Sequence, residues 1–223
     1  MLRLHDHRTG RTEPLPAGRG LRVQVLDGAG RRALVVTDLL RRVAGRAGRR
    51  VRVVSTPAFA EEDDWSDYNI APFEVLDAPI PDADVHVSPG GDTVRDSLTL
   101  TVPHETGAWT PADALSVRLA MLQAPYREPL ELSDATVSQA AERLGGWRAA
   151  VAEWATAPGR PINREYATAA ETALADDLNS PAALAVLDRL LADADVPPGA
   201  KLETFIHLDL ILALGLVSAI GSG

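Results

Sequence analysis

The phrase Asp27-Gly28-Ala29-Gly30-Arg31-Arg32 places two glycines directly before two adjacent guanidiniums. Glycine lets a backbone turn sharply and approach a ligand closely, and a helix starting just after it points its first free N–H groups into the turn. That is phosphate-binding chemistry, with Gly28, Gly30, Arg31 and Arg32 as its candidate residues. Arg95, in Gly91-Asp92-Thr93-Val94-Arg95-Asp96-Ser97, is a candidate second cation. Both phrases have a plainer reading: the first as a simple turn, the second as one where Asp92 and Asp96 repel phosphate. A basic cluster follows at Arg41, Arg42, Arg46, Arg49, Arg50 and Arg52. Within it Arg41, Arg42, Arg49 and Arg50 are candidates for RNA phosphate contacts, although such residues also solvate an exposed helix end.

The remaining chemistry-bearing side chains read as structural. His5 and His7 sit close to the first residue, His86 lies in an alternating run, and His104 is isolated; none has the local spacing of a metal site. Asp176-Asp177, just before Ser180-Pro181, suits the end of one helix and the cap of the next better than magnesium. The chain has no cysteine, which excludes disulfides, thiolate catalysis and sulfur-bound zinc. No Ser-His-Asp arrangement, dinucleotide fingerprint or nucleotide-binding Walker phrase is present. No catalytic residue, metal ligand or resident cofactor is therefore assigned.

The elements that must carry these residues change character along the chain. Leu21 to Leu26 alternates as a strand, Leu34 to Arg46 has helical apolar spacing, and Val51 to Val54 is strand-like again. This predicts a strand–helix–strand unit with a right-handed crossover, hence a parallel sheet. Glu61 to Pro81 predicts a short helix and an irregular connection. Val85 to Val87 and Leu98 to Val102, flanking Pro89-Gly90-Gly91, predict a hairpin or an extra sheet edge. From Thr110 the texture is helical throughout. Thr110 with Pro111 opens a helix to about Gln123, and Ser133-Asp134 opens one to about Thr156, with a kink at Gly145-Gly146. Further helices run from Arg164, from Ser180-Pro181 and from Pro197-Pro198-Gly199. Trp147 and Trp154, seven apart, share a core-facing stripe.

The 223 residues carry a net charge of −9, unevenly spread. Residues 1–60 hold 13 arginines against 4 acidic residues, and residues 61–223 hold 9 basic against 27 acidic. A polyanion is thus attracted to the first quarter and repelled by the rest. Lys201 is the sole lysine, so the arginine enrichment also reflects coding bias. The longest apolar stretch, Leu208 to Ile220, is broken by Asp209 and too short to span a bilayer, so a cytoplasmic protein is expected.

Three segments carry a resemblance. They are Leu2-Arg-Leu-His-Asp6 with Thr9-Gly-Arg-Thr-Glu-Pro14; Asp113 to Leu130; and Leu174 to Asp188 with Pro197 to Glu203 and Leu208 to Leu216. Together they resemble the cysteinyl-tRNA synthetases and their mycothiol-pathway ligase relatives. The resemblance implies a class I nucleotide-binding fold, ATP-dependent ligation, zinc and tRNA. It also implies signatures that this chain does not carry. The strand ending at Leu26 leads directly into the glycine phrase, where the family has a cysteine and a His-Ile-Gly-His signature. The stretch before Thr106-Gly107 lacks the family's Lys-Met-Ser-Lys-Ser.

The fold expected is α/β. Residues 1–107 form a shortened Rossmann-like parallel-sheet domain, and residues 108–223 form an all-helical bundle. The function expected is a synthetase-like paralogue without ligase chemistry, binding a protein partner or tRNA, with no membrane or DNA partner. The alternative is an ATP-dependent ligase using Arg95 or Arg31 and Arg32 as substitute cations.

Overall fold

The computed structural model describes residues 1–56, 65–90, 97–110 and 113–221. The helix expected to open at Glu61, the Gly91 to Asp96 phrase with Arg95, and Pro111 fall wholly or partly outside them.

An antiparallel hairpin, β1 (Arg3–Asp6) with β2 (Arg11–Pro14), opens the chain. It is followed by β3 (Gly20–Val25), α1 (Arg31–Arg46) and β4 (Arg50–Ser55), the predicted strand–helix–strand unit. β5 (Glu74–Val75), β6 (Val85–Ser88) and β7 (Leu98–Thr101) complete a five-stranded, wholly parallel sheet in the order β5-β4-β3-β6-β7. The hairpin expected around Pro89-Gly90 is corrected: Val85 pairs with Leu98 and Val87 with Leu100 in parallel register, leaving β7 as the extra edge. Strands β6 and β7 run in the same direction, an arrangement that a tight antiparallel turn does not produce. The edge is then covered by the first hairpin, where the His7 amide donates to the Thr99 carbonyl at 2.8 Å.

α1 is amphipathic: Ala33 to Val36, Leu39, Leu40, Val43 and Ala44 are buried, while Arg41, Arg42 and Arg46 lie on its more exposed side. One face lies on Val23, Val25, Val85 and Val87; the other meets the helices that follow. These are α2 (Ala114–Leu122), α3 (Asp134–Trp154), α4 (Arg164–Ala175), α5 (Ser180–Ala192) and α6 (Pro198–Leu212). Two-residue strands β8 (Glu105–Thr106), before α2, and β9 (Leu130–Glu131), between α2 and α3, pair in parallel. One apolar cluster runs from the sheet through α1 into these helices, where Trp147 and Trp154 pack edge-on against Phe205.

The helix starts follow local chemistry. Ser133 caps α3 in a capping box with Thr136, and Asn163 and Asn179 cap α4 and α5. α2 begins later than expected, capped by Asp113 rather than Thr110. α3 passes through Gly145 and Gly146 without interruption. Among the described residues no helix is long and apolar enough to cross a membrane.

Candidate functional site

In an open parallel sheet a ligand crevice forms at the carboxyl ends of two neighbouring strands whose connections leave in opposite directions. Here β4 lies on one side of β3 and β6 on the other, so that point is between β3 and β6. The Leu26 amide donates to the Val87 carbonyl at 2.9 Å and closes the base of the crevice. Its rim is Asp27 to Gly30 on one side and Ser88 to Gly90 on the other. Gly28 and Gly90 hold φ of 75° and 149°, conformations that favour glycine. Asp27 accepts a hydrogen bond from the Thr56 hydroxyl, so its carboxylate is turned toward β4.

Gly30 is the cap of α1, as a phosphate cradle requires, but its space is occupied. A Cβ on Gly30 would lie 2.6 Å from His104 Nδ1 and 3.4 Å from a Glu105 carboxylate oxygen. The same Glu105 oxygen accepts from the Arg32 amide at 3.3 Å, so the positive end of α1 already holds an anion supplied by the chain. Gly28 and Gly30 lie in the turn between β3 and α1, and Arg31 is the first residue of α1. Arg31 stacks toward Trp109, its guanidinium carbon 6.0 Å from the ring centre. Arg32 is fully buried and turns away from the crevice, donating to the carbonyls of Pro125 at 2.7 Å and of Glu128. Burial lowers its pKa, and its Nε makes no hydrogen bond.

The basic cluster is dispersed over two elements. Arg41 and Arg42 both bind Asp38, and Arg42 also donates to the carbonyls of Asn69 at 2.7 Å and Leu210 at 3.2 Å. Arg49 donates to the Gly20 carbonyl, while Arg50 is exposed at the start of β4. Arg46 and Arg52 engage His207 and Glu74. The structure thus brings Arg41 and Arg42 together around one carboxylate and leaves Arg49 and Arg50 apart from them.

Two polar nodes escaped the sequence reading. Asp38 and Arg118 form an ion pair at 2.8 Å with neither side chain exposed. Burial by itself would raise the Asp38 pKa, but Arg118, Arg42 and Arg41 outweigh it and hold the carboxyl below the usual range. Arg118 also donates to the carbonyls of Leu212 and Tyr68, each at 2.9 Å, joining α1, α2, α6 and the connection after β4. The available signal was a lone acid, Asp38, in the largely apolar run Leu34 to Leu40 and four residues before Arg42. Asp177, read as part of a cap, does more: it accepts from the His5 amide at 2.7 Å, Tyr126 at 2.6 Å and Arg127 at 2.9 Å. Burial pushes the Tyr126 hydroxyl well above its usual range, and Asp177 adds to it.

No family model matches the chain. Among curated proteins, it is 38% identical over 120 residues to the cysteine–tRNA ligase of Parvibaculum lavamentivorans, covering 52% of this chain and 25% of that protein. It is 44% identical over 80 residues to the L-cysteine:1D-myo-inositol 2-amino-2-deoxy-alpha-D-glucopyranoside ligase of Streptomyces griseus, covering 36% and 19%. The corresponding ligase of Nocardiopsis dassonvillei is 42% identical over 108 residues, covering 47% and 26%. The matches span only about a quarter or less of these relatives. Together with the parallel sheet and the helices that follow it, they make the chain a partial homologue of the cysteine ligases.

Proposed function

We propose that this chain is a cytoplasmic, ligase-derived binding or accessory protein that does not carry out ATP-dependent ligation. The observation that carries the reading is the occupied start of α1, where Glu105 accepts from the Arg32 amide. A nucleotide phosphate arriving there would meet a fixed carboxylate at the one place where the helix favours an anion. The other cation of that turn, Arg32, is committed to backbone carbonyls. Transition-state stabilisation depends on donors already aimed at the developing charge, and losing one costs roughly 2.7–4 kcal/mol. Amino-acid-dependent pyrophosphate exchange, run with cysteine and a panel of other amino acids and amines, should give no signal; exchange with any of them overturns the proposal.

The partner expected is a protein rather than tRNA or DNA. Arg41 and Arg42 are spent on Asp38 and on carbonyls of the same chain. Residues 108–223 hold 15 acidic against 8 basic residues, so the helical part is itself net acidic. Co-purification from the native host should retain a protein that resists moderate salt, whereas a complex whose affinity falls steeply with salt would indicate phosphate contacts.

The alternative, a ligase with altered phosphate-binding residues, rests on the crevice itself, since Gly28 and Gly90 still adopt glycine conformations at the carboxyl ends of β3 and β6. ATP binding by the Glu105→Gln variant but not by the unsubstituted protein would favour a vestigial site over a working one.

A further inference from the structure

A parallel sheet normally has both faces covered. Here α1 covers the face of Val23 and Val25, while the opposite face carries Arg22 and Gln24 on β3 and His86 on β6, paired in register with Gln24. The second face has no helix over it among the described residues. A small cluster of Val54, Ile80 and Ala83 covers its β4 side, and the Ile80 amide is held by the Gln24 side chain at 3.0 Å. Toward β7 a cavity of about 750 Å³ remains, walled by the first hairpin, the Pro81 to Asp84 turn and the start of β7. It lies toward the amino ends of the strands, away from the crevice beside Gly30.

At its base His86 is 4% exposed, and its Nδ1 lies 2.7 Å from the Ser97 hydroxyl. That contact fixes the ring plane, and Nε2 has no hydrogen-bond partner among the described residues. Burial lowers the His86 pKa, and in the tautomer whose Nδ1–H donates to Ser97 the other nitrogen is an acceptor.

The charges around it are unequal. Four carboxylates, Asp6, Glu13, Asp82 and Asp84, face two guanidiniums, Arg8 and Arg22. Both guanidiniums are used: Arg22 binds Asp82 and, at 3.3 Å, Asp84, while Arg8 lies 3.3 Å from Asp6. Glu13 has no ion-pair partner among the described residues. An unpaired carboxylate and an imidazole acceptor in one polar cavity ask for a ligand that donates hydrogen bonds and carries positive charge. An ammonium has three donors and no acceptor.

We propose that this cavity binds a small organic primary amine, its ammonium placed between Glu13 and His86, with Ser97 positioning the ring. The size suits it, since small-molecule sites span roughly 300–1,000 Å³. The site is independent of the proposed absence of ligation, and its failure would leave that proposal untouched.

The test is titration of the whole protein with butylamine, butanol and butyrate, three probes of nearly equal size that differ in head-group charge. Salt is kept at about 0.15 M to screen the general attraction of an acidic protein for cations. Saturable binding of butylamine alone is expected, with a displaced His86 ring-nitrogen signal. Glu13→Gln should weaken it about two- to fivefold, the range of one partly exposed ion pair, and His86→Phe should abolish it. Should His86→Phe not fold, the ring signal of the unsubstituted protein decides. Saturation by butanol or butyrate at similar concentrations, no saturation by any probe up to about 10 mM, or butylamine binding that leaves the His86 ring undisturbed overturns the proposal.

Discussion

Replacing Asp38 by asparagine keeps the side-chain volume and removes one charge from the interior. Arg118 would retain the carbonyls of Leu212 and Tyr68, each at 2.9 Å, but its positive charge would be left without the carboxylate now 2.8 Å away. A guanidinium does not shed its proton in compensation, so the uncompensated charge stays buried. Breaking a buried ion pair from one side costs about 3–5 kcal/mol. For a domain of this size that lowers the thermal midpoint by about 6–20 °C. Arg41 and Arg42 are partly exposed and can turn to water, so most of the loss resides at Arg118. Urea unfolding should show a lower midpoint with an unchanged slope. The pH dependence has a definite sign. Asp38 titrates below its unfolded value of about 3.9, so its contribution is fully present above about pH 4 and is lost as pH falls through the lower folded value. The gap between the two proteins should therefore shrink in acid. Replacing both partners, Asp38→Leu with Arg118→Met, should recover much of the loss. An Asp38→Asn protein within about 1 kcal/mol of the parent at neutral pH, or a gap unchanged at pH 3, refutes the reasoning.

Other expectations follow from packing and capping. Phe205→Ala removes the ring against which Trp154 packs at 5.2 Å and Trp147 at 6.5 Å, and should cost about 3–5 kcal/mol in chemical denaturation. Gly199→Ala would place a methyl 2.1 Å from the Pro158 carbonyl oxygen, so the start of α6 must shift, and a loss of about 1–3 kcal/mol is expected. Ser133→Ala dismantles the capping box of α3 and should cost about 0.5–2 kcal/mol, with reduced amide protection confined to the first turn of that helix.

Elements whose chemistry is local were legible in the sequence. The alternation of Leu21 to Leu26, the apolar spacing after Leu34 and the capping residue Ser133 each act within a few residues, and the structure follows them. The strand pairing beyond β4 was less legible. Val85 to Val87 and Leu98 to Val102 look alike whether antiparallel or parallel, because the direction is set by the path between them. The polar nodes were the least legible. Asp38 meets Arg118 from 80 residues away, and Glu105 reaches Arg32 from 73 residues away. Nothing in the spacing of either residue names its partner. His86 and Ser97 met for the same reason, across the parallel β6–β7 pair that a hairpin reading would have placed differently.

The uneven charge of the chain takes on a different meaning once the arginines are followed to their partners. A first quarter with 13 arginines against 4 acidic residues suggests an outward-facing basic surface. Several of those arginines instead face inward or across to the rest of the chain. Arg32 reaches the carbonyls of Pro125 and Glu128, Arg42 those of Asn69 and Leu210, Arg46 meets His207, and Arg52 meets Glu74. Backbone carbonyls at helix and turn ends are concentrated negative potential, and guanidiniums with several donors suit them. The positive charge of the first quarter of the chain is thus largely the complement of groups carried by the same molecule. A polyanion competing for it would have to displace contacts that join α1 to α6 and to the turn before β9. That cost is absent for a partner meeting the acidic outer faces of the helices, which is the physical reason to seek a protein there before a nucleic acid at Arg41 and Arg42.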